Sequence, residues 1–117
     1  MLRVVNETRQ QTVASSARAA YGFFDRLRGL LGGPPLAQGE GLYLLPCQAI
    51  HMIGMTFPID AIFVDKQGNV VGLVENIKPW GVSDHYWKAR GCLELPAGTI
   101  GATGTALGDR LKFEETN

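Results

Sequence analysis

The stretch IDAIFVDKQGNVVGLVENI, residues 59–77, decides the fold class. Two runs rich in Ile and Val flank Lys66-Gln67-Gly68-Asn69, a tetrapeptide of turn-forming residues. Gly68 can take the positive φ of a tight hairpin, so the two runs are predicted to pair antiparallel. Working outward, further short runs at 2–6, 41–45, 49–53, 91–95 and 110–114 are separated by Gly, Pro, Asn and Asp. Strand follows strand without an intervening helix. That order predicts a mostly antiparallel, barrel-like sheet, and fifteen glycines suit the bulges and corners of a small barrel.

One segment reads differently. Ala20, Phe23, Phe24, Leu27, Leu30 and Leu31 fall at helical spacing, with Arg18, Asp25 and Arg28 on the other face. Ser15 or Ser16 can cap this helix, and Gly32-Gly33-Pro34-Pro35 stops it. The expectation is one N-terminal amphipathic helix over 16–31, packed on the sheet of a single α+β domain spanning 1–117.

At 117 residues the chain can bury roughly two-thirds of the surface its unfolded form exposes, so it needs no disulfide or metal to be stable. Eleven Lys and Arg balance eleven Asp and Glu. A zero balance argues against nucleic-acid binding, which draws on excess positive charge. No stretch reaches the roughly 20 apolar residues of a membrane span, and MLRVVNETRQQTVASS lacks the apolar core of a secretion signal. The chain thus reads as cytoplasmic, with Cys47 and Cys92 reduced, buried and not bonded to each other. No cofactor is expected.

Four groups of residues carry candidate chemistry. Cys47, His51, His85 and Cys92 could make a two-Cys, two-His metal site. Their spacings, C-x3-H and H-x6-C, lack the paired knuckles that preorganise zinc, so no metal is expected. Cys47 could act as a nucleophile if His51 and Asp60 converged on it. A hairpin of Ile50 to Ile53 with Ile59 to Ile62 would set Asp60 opposite His51 in one register and Met52 there in the next. No nucleophile elbow accompanies the cysteine. Asp60 follows Pro58 into an apolar run, where a carboxylate must be hydrogen-bonded by backbone amides or by an arginine such as Arg26 or Arg28. In KPWGVSDHYWKARG (78–91), Trp80, His85 and Trp87 cluster on a loop that either recognises something or caps a barrel end. The Gly108-Asp109 pair reads as a turn opening the last strand, with no chemical role.

Three blocks, FDRLRGLLGGPPL (24–36), HMIGMTFPIDAIFVDKQGNVV (51–71) and CLELPAGTIGATGTALGDRLKF (92–113), resemble the domain of unknown function 192 family. The most specific parts are Pro58-Ile59-Asp60, the run 93–98 and the pair 108–109. The resemblance implies a compact β-rich domain with no established activity. It also implies that many relatives carry tryptophan at position 51, so His51 is not a family-wide base or ligand.

The resulting expectation is a binding or accessory module for a small molecule or protein. Its recognition surface combines 47–60 with the 80–87 loop and draws on Cys47, His51, Asp60, Trp80, His85 and Trp87. The alternative is an enzyme or metal protein using Cys47, His51 and Asp60.

Overall fold

The computed structural model describes residues 1–22 and 34–116. Among them, seven strands and one short helix follow in order: β1 (Leu2–Asn6), β2 (Gln11–Tyr21), β3 (Glu40–Leu45), β4 (Ile59–Val64), β5 (Val70–Ile77), β6 (Gly91–Pro96), α1 (Thr99–Thr103) and β7 (Leu111–Glu115). The strands form one sheet in the order β5-β4-β6-β3-β2-β1-β7. Every neighbouring pair is antiparallel except β2 with β3.

The expected 59–77 hairpin is present as β4 and β5. Asp65 accepts the amides of Gln67 (3.0 Å) and Asn69 (2.9 Å), which folds the turn on itself. Gly68 sits at φ 89°, and a Cβ there would collide with the Leu111 carbonyl oxygen, so only glycine fits.

The predicted N-terminal helix is corrected. Residues 16–21 are the second half of β2 and run parallel to β3, from Ser16↔Glu40 to Tyr21↔Leu45. Of the six apolar residues at helical spacing, Ala20 alone lies among the described residues, where it is buried in β2, as are Ala14 and Ala17 before it. Register shifts against β1, between Leu2 and Val4 and between Val4 and Val5, break the strict alternation a strand normally shows. Residues 23–33, with Arg26 and Arg28, lie outside the described residues. Among the described residues the helix of this α+β fold is α1, which follows β6.

The run at 49–53 does not form a strand of the sheet, and its expected hairpin with 59–62 is absent in either register. β4 is paired on both edges, with β5 and β6, so no edge is left for it. All six β4 residues are buried.

The sheet curls into a half-barrel. Val70 from one edge strand and Leu111 from the other share an apolar cluster with Val4, Tyr43, Ile62, Val64, Leu93 and Ile100. Backbone bonds Val70 N–H to Asp109 C=O (2.8 Å) and Leu111 N–H to Gly68 C=O (2.8 Å) draw the two edges together. The opposite face buries Leu42, Leu44, Ala61, Phe63 and Cys92 beneath Cys47, Ile50, Met52 and Met55. The segment that failed to become a strand is therefore the lid of this second core.

Candidate recognition site

Residues 47–52 zip onto 80–90 as a two-segment ribbon. Tyr86 N–H donates to Gln48 C=O (2.8 Å), Ser83 N–H to Ile50 C=O (2.9 Å) and Met52 N–H to Gly81 C=O (2.7 Å). Trp80 N–H returns to Met52 C=O (2.8 Å), and His51 bridges Val82. Side chains seal the pairing: Ser83 Oγ accepts the Ile50 amide (2.9 Å), and Gln48 Nε2 donates to the Trp87 carbonyl (2.8 Å).

Alternation along this ribbon sorts its side chains. Ile50 and Met52 point into the core, while His51 and Ile53 are exposed. On the facing segment Trp80, Val82 and Trp87 are 67%, 71% and 79% exposed. With Ile53 they make four of the seven large apolar side chains exposed among the described residues, so exposed apolar surface is concentrated here. His85 lies against Trp87, ring centroids 3.9 Å apart, with its Nε2 3.2 Å from Gln48 Oε1. Trp80 adopts φ 68°, a left-handed backbone that bulky residues rarely take.

The backbone beneath these exposed rings is anchored. Tyr86 stacks on Phe63 of β4 at 4.5 Å, Cys47 N–H donates to Arg90 C=O (3.0 Å), and Arg90 N–H donates to Val64 C=O (2.7 Å).

The other candidate residues lie elsewhere. Asp60 is fully buried in β4, opposite Leu95. One oxygen accepts Asn76 N–H (2.8 Å); the other accepts Gly98 N–H (3.1 Å) and Ile100 N–H (2.8 Å). Gly98 has no side chain to cap α1, so Asp60 supplies that acceptor from across the fold. The same carboxylate holds a bulge, since β4 and β5 skip register between Ile59↔Ile77 and Ala61↔Val74. Asp60 is thus a backbone-bonded structural residue.

Cys47 and Cys92 are buried thiols not joined in a disulfide. They share a hydrogen bond, and burial foremost, with Cys47 second, pushes the Cys92 thiol well above its ordinary range. The two exposed histidines are not with them. Cys47, His51 and Asp60 therefore occupy a core, a surface and a second core, which leaves the alternative enzyme or metal reading without a site. Among the described residues, no three His, Cys, Asp or Glu are grouped to hold a metal ion. No described helix is long and apolar enough to cross a membrane.

Two polar features go beyond what the sequence signalled. Glu94 sits beside Cys92 on the same face of β6, and burial, then the Cys47 thiol, pushes its carboxyl up to about 8. Asp109 does open the last strand, with Gly108 at φ 86° and the Ala106 amide bonded to its carboxylate (3.0 Å). It also accepts Arg9 Nε (2.9 Å) and Asn6 Nδ2 (3.0 Å), tying the first hairpin to the last turn.

A curled, mostly antiparallel sheet carrying an exposed aromatic ribbon defines a small β-rich domain without a recognisable catalytic centre among the described residues. The DUF192 family model, described as Uncharacterized ACR, matches residues 4–113, and the chain belongs to that family. It is 30% identical over 115 residues to the UPF0127 protein PH1112 of Pyrococcus horikoshii, covering 94% of this chain and 97% of that one. The UPF0127 protein PF1050 of Pyrococcus furiosus is 29% identical over the same length, with 94% and 97% covered. A crystal structure of a protein of unknown function from Novosphingobium aromaticivorans shares the fold, with TM-score 0.80 and 21% identity over 95% of this chain and 82% of that one.

Proposed function

We propose that this domain is a binding or accessory module whose recognition surface is the ribbon of 47–53 and 80–87. The observation that carries this reading is the outward row of Ile53, Trp80, Val82 and Trp87 on an anchored backbone. Amphipathic aromatics held in place lose little entropy on contact and dominate recognition surfaces. Cys47 supports that surface from below, Asp60 braces β4 from its opposite face, and His51, Trp80, His85 and Trp87 present the surface.

Trp80 gives the decisive test, because its backbone disfavours any side chain. If tryptophan is kept there for contact rather than for folding, Trp80→Gly should be about 1 kcal/mol more stable than the unaltered protein. Trp87→Ala should leave stability within about 1 kcal/mol. Urea denaturation of the two variants and the unaltered protein checks both. A loss of about 3–5 kcal/mol for Trp87→Ala would make the ring a core element and end the recognition reading.

A further inference from the structure

We propose that the ribbon seats on the headgroup layer of an anionic membrane, an inference that rests on the ribbon being the recognition surface. Three observations favour a lipid surface over a shaped protein partner. First, the apolar side chains protrude into solvent, with Trp80, Val82 and Trp87 each more than two-thirds exposed. Separate protruding groups need no complementary pocket in a fluid interface, where tryptophan is the preferred residue. A cleft lined by Asp65, Lys66, Arg110 and Phe113 is on the far hairpin and not at the ribbon.

Second, the charge around the ribbon has one dominant sign. The segment 46–58 carries no Asp, Glu, Lys or Arg, and 78–91 carries Lys78, Lys88 and Arg90 against Asp84 alone. In a chain of zero net charge, that gives the tryptophan-bearing segment a net excess of cations. Lys78 and Lys88, which flank the tryptophans in the chain, are exposed, and long stems let their heads reach lipid phosphates while the rings enter the interface. Third, the backbone at Trp80 is held in a disfavoured conformation, with Gly81 N–H bonded to Lys78 C=O (2.9 Å) closing the turn. Strain retained at an exposed aromatic points to a contact the ring makes outside the fold.

The test is co-sedimentation of the whole chain with vesicles of phosphatidylcholine alone and of phosphatidylcholine mixed with phosphatidylserine. The expected result is pelleting with the mixed vesicles only, reversed by salt, with tryptophan emission shifted to the blue. Lys78→Ala with Lys88→Ala should weaken binding about twentyfold, and Trp80→Ala with Trp87→Ala should abolish it. Protein left in the supernatant with both vesicle types overturns the proposal, as does binding that the tryptophan variants retain. If the vesicles fail while a photoreactive residue at position 82 crosslinks a second copy or another protein, the membrane is wrong and the ribbon remains a recognition surface. If the vesicles fail and the alanine variants also melt early, both readings fall together.

Discussion

The ring of Tyr86 covers the bare backbone of Gly72. A Cβ at position 72 would collide with the ring, which also stacks on Phe63, the cross-strand partner of Gly72. This contact is where the ribbon segment 80–90 meets β5, so it couples the packing of the sheet to the position of the exposed tryptophans. Gly72→Ala should therefore lower stability by about 1–3 kcal/mol through overpacking. Hydrogen exchange should show faster opening of 80–90 than of β6. Unchanged exchange there would mean that the ring is not the anchor.

Asp60 should tolerate little. Its two oxygens hold three amides from two segments, and Asp60→Ala would strand all of them at a cost of about 3 kcal/mol or more. Asp60→Asn keeps one acceptor oxygen and should lose less. His51→Trp, on the exposed side of the ribbon, should be neutral. Denaturant midpoints for the three variants test the order.

Acid should weaken the fold through Asp109. The Arg9 guanidinium, with Asn6 and Ala106, holds this carboxyl down at about 2, below its ordinary 3.8. The contribution is present above about pH 3.8 and is lost as pH falls toward 2. Arg9 is 45% exposed, so solvent screens the pair and the effect is modest. In Asp109→Asn, stability measured between pH 5 and pH 2 should fall less steeply than in the unaltered protein.

Glu94 sets the opposite slope. Its carboxyl is pushed from an ordinary 4.5 up to about 8, so the folded protein keeps a proton that the unfolded chain has released. Stability is fully present below about 4.5 and declines as pH rises to about 8. Glu94→Gln removes the titration and should gain more than about 1 kcal/mol at pH 8. Parallel urea curves at pH 5 and pH 8 check it. A variant that tracks the unaltered protein at both would show that Glu94 is already ionised.

The β4–β5 hairpin was legible because Gly68 and its neighbours have one plausible conformation between two β-branched runs. Asp60 was legible as a buried acceptor, since a carboxylate in an apolar strand must find donors. β2 was not, because its alanines carry high helix propensity and a three-residue burial spacing that only pairing with β1 and β3 overrides. The ribbon was half legible. Ile50, His51, Met52 and Ile53 alternate as a strand would, yet their partner lies about thirty residues away at 80–83, and no local signal names it. The ion pair of Asp109 with Arg9 joins residues a hundred positions apart, and the left-handed turn at Trp80 contradicts its own residue type.

The pairing of β1 with β7, from Leu2↔Glu115 to Asn6↔Leu111, has a consequence for biosynthesis. The hairpin of β1 and β2 leaves the ribosome early, but the outer edge of β1 has no neighbour until residues 111–115 emerge. Until then that edge, with Val4 and Val5 on it, is an open template for another nascent chain. The order in which the chain is made therefore runs against the order in which its sheet closes, and a helper that covers the early hairpin would act at β1.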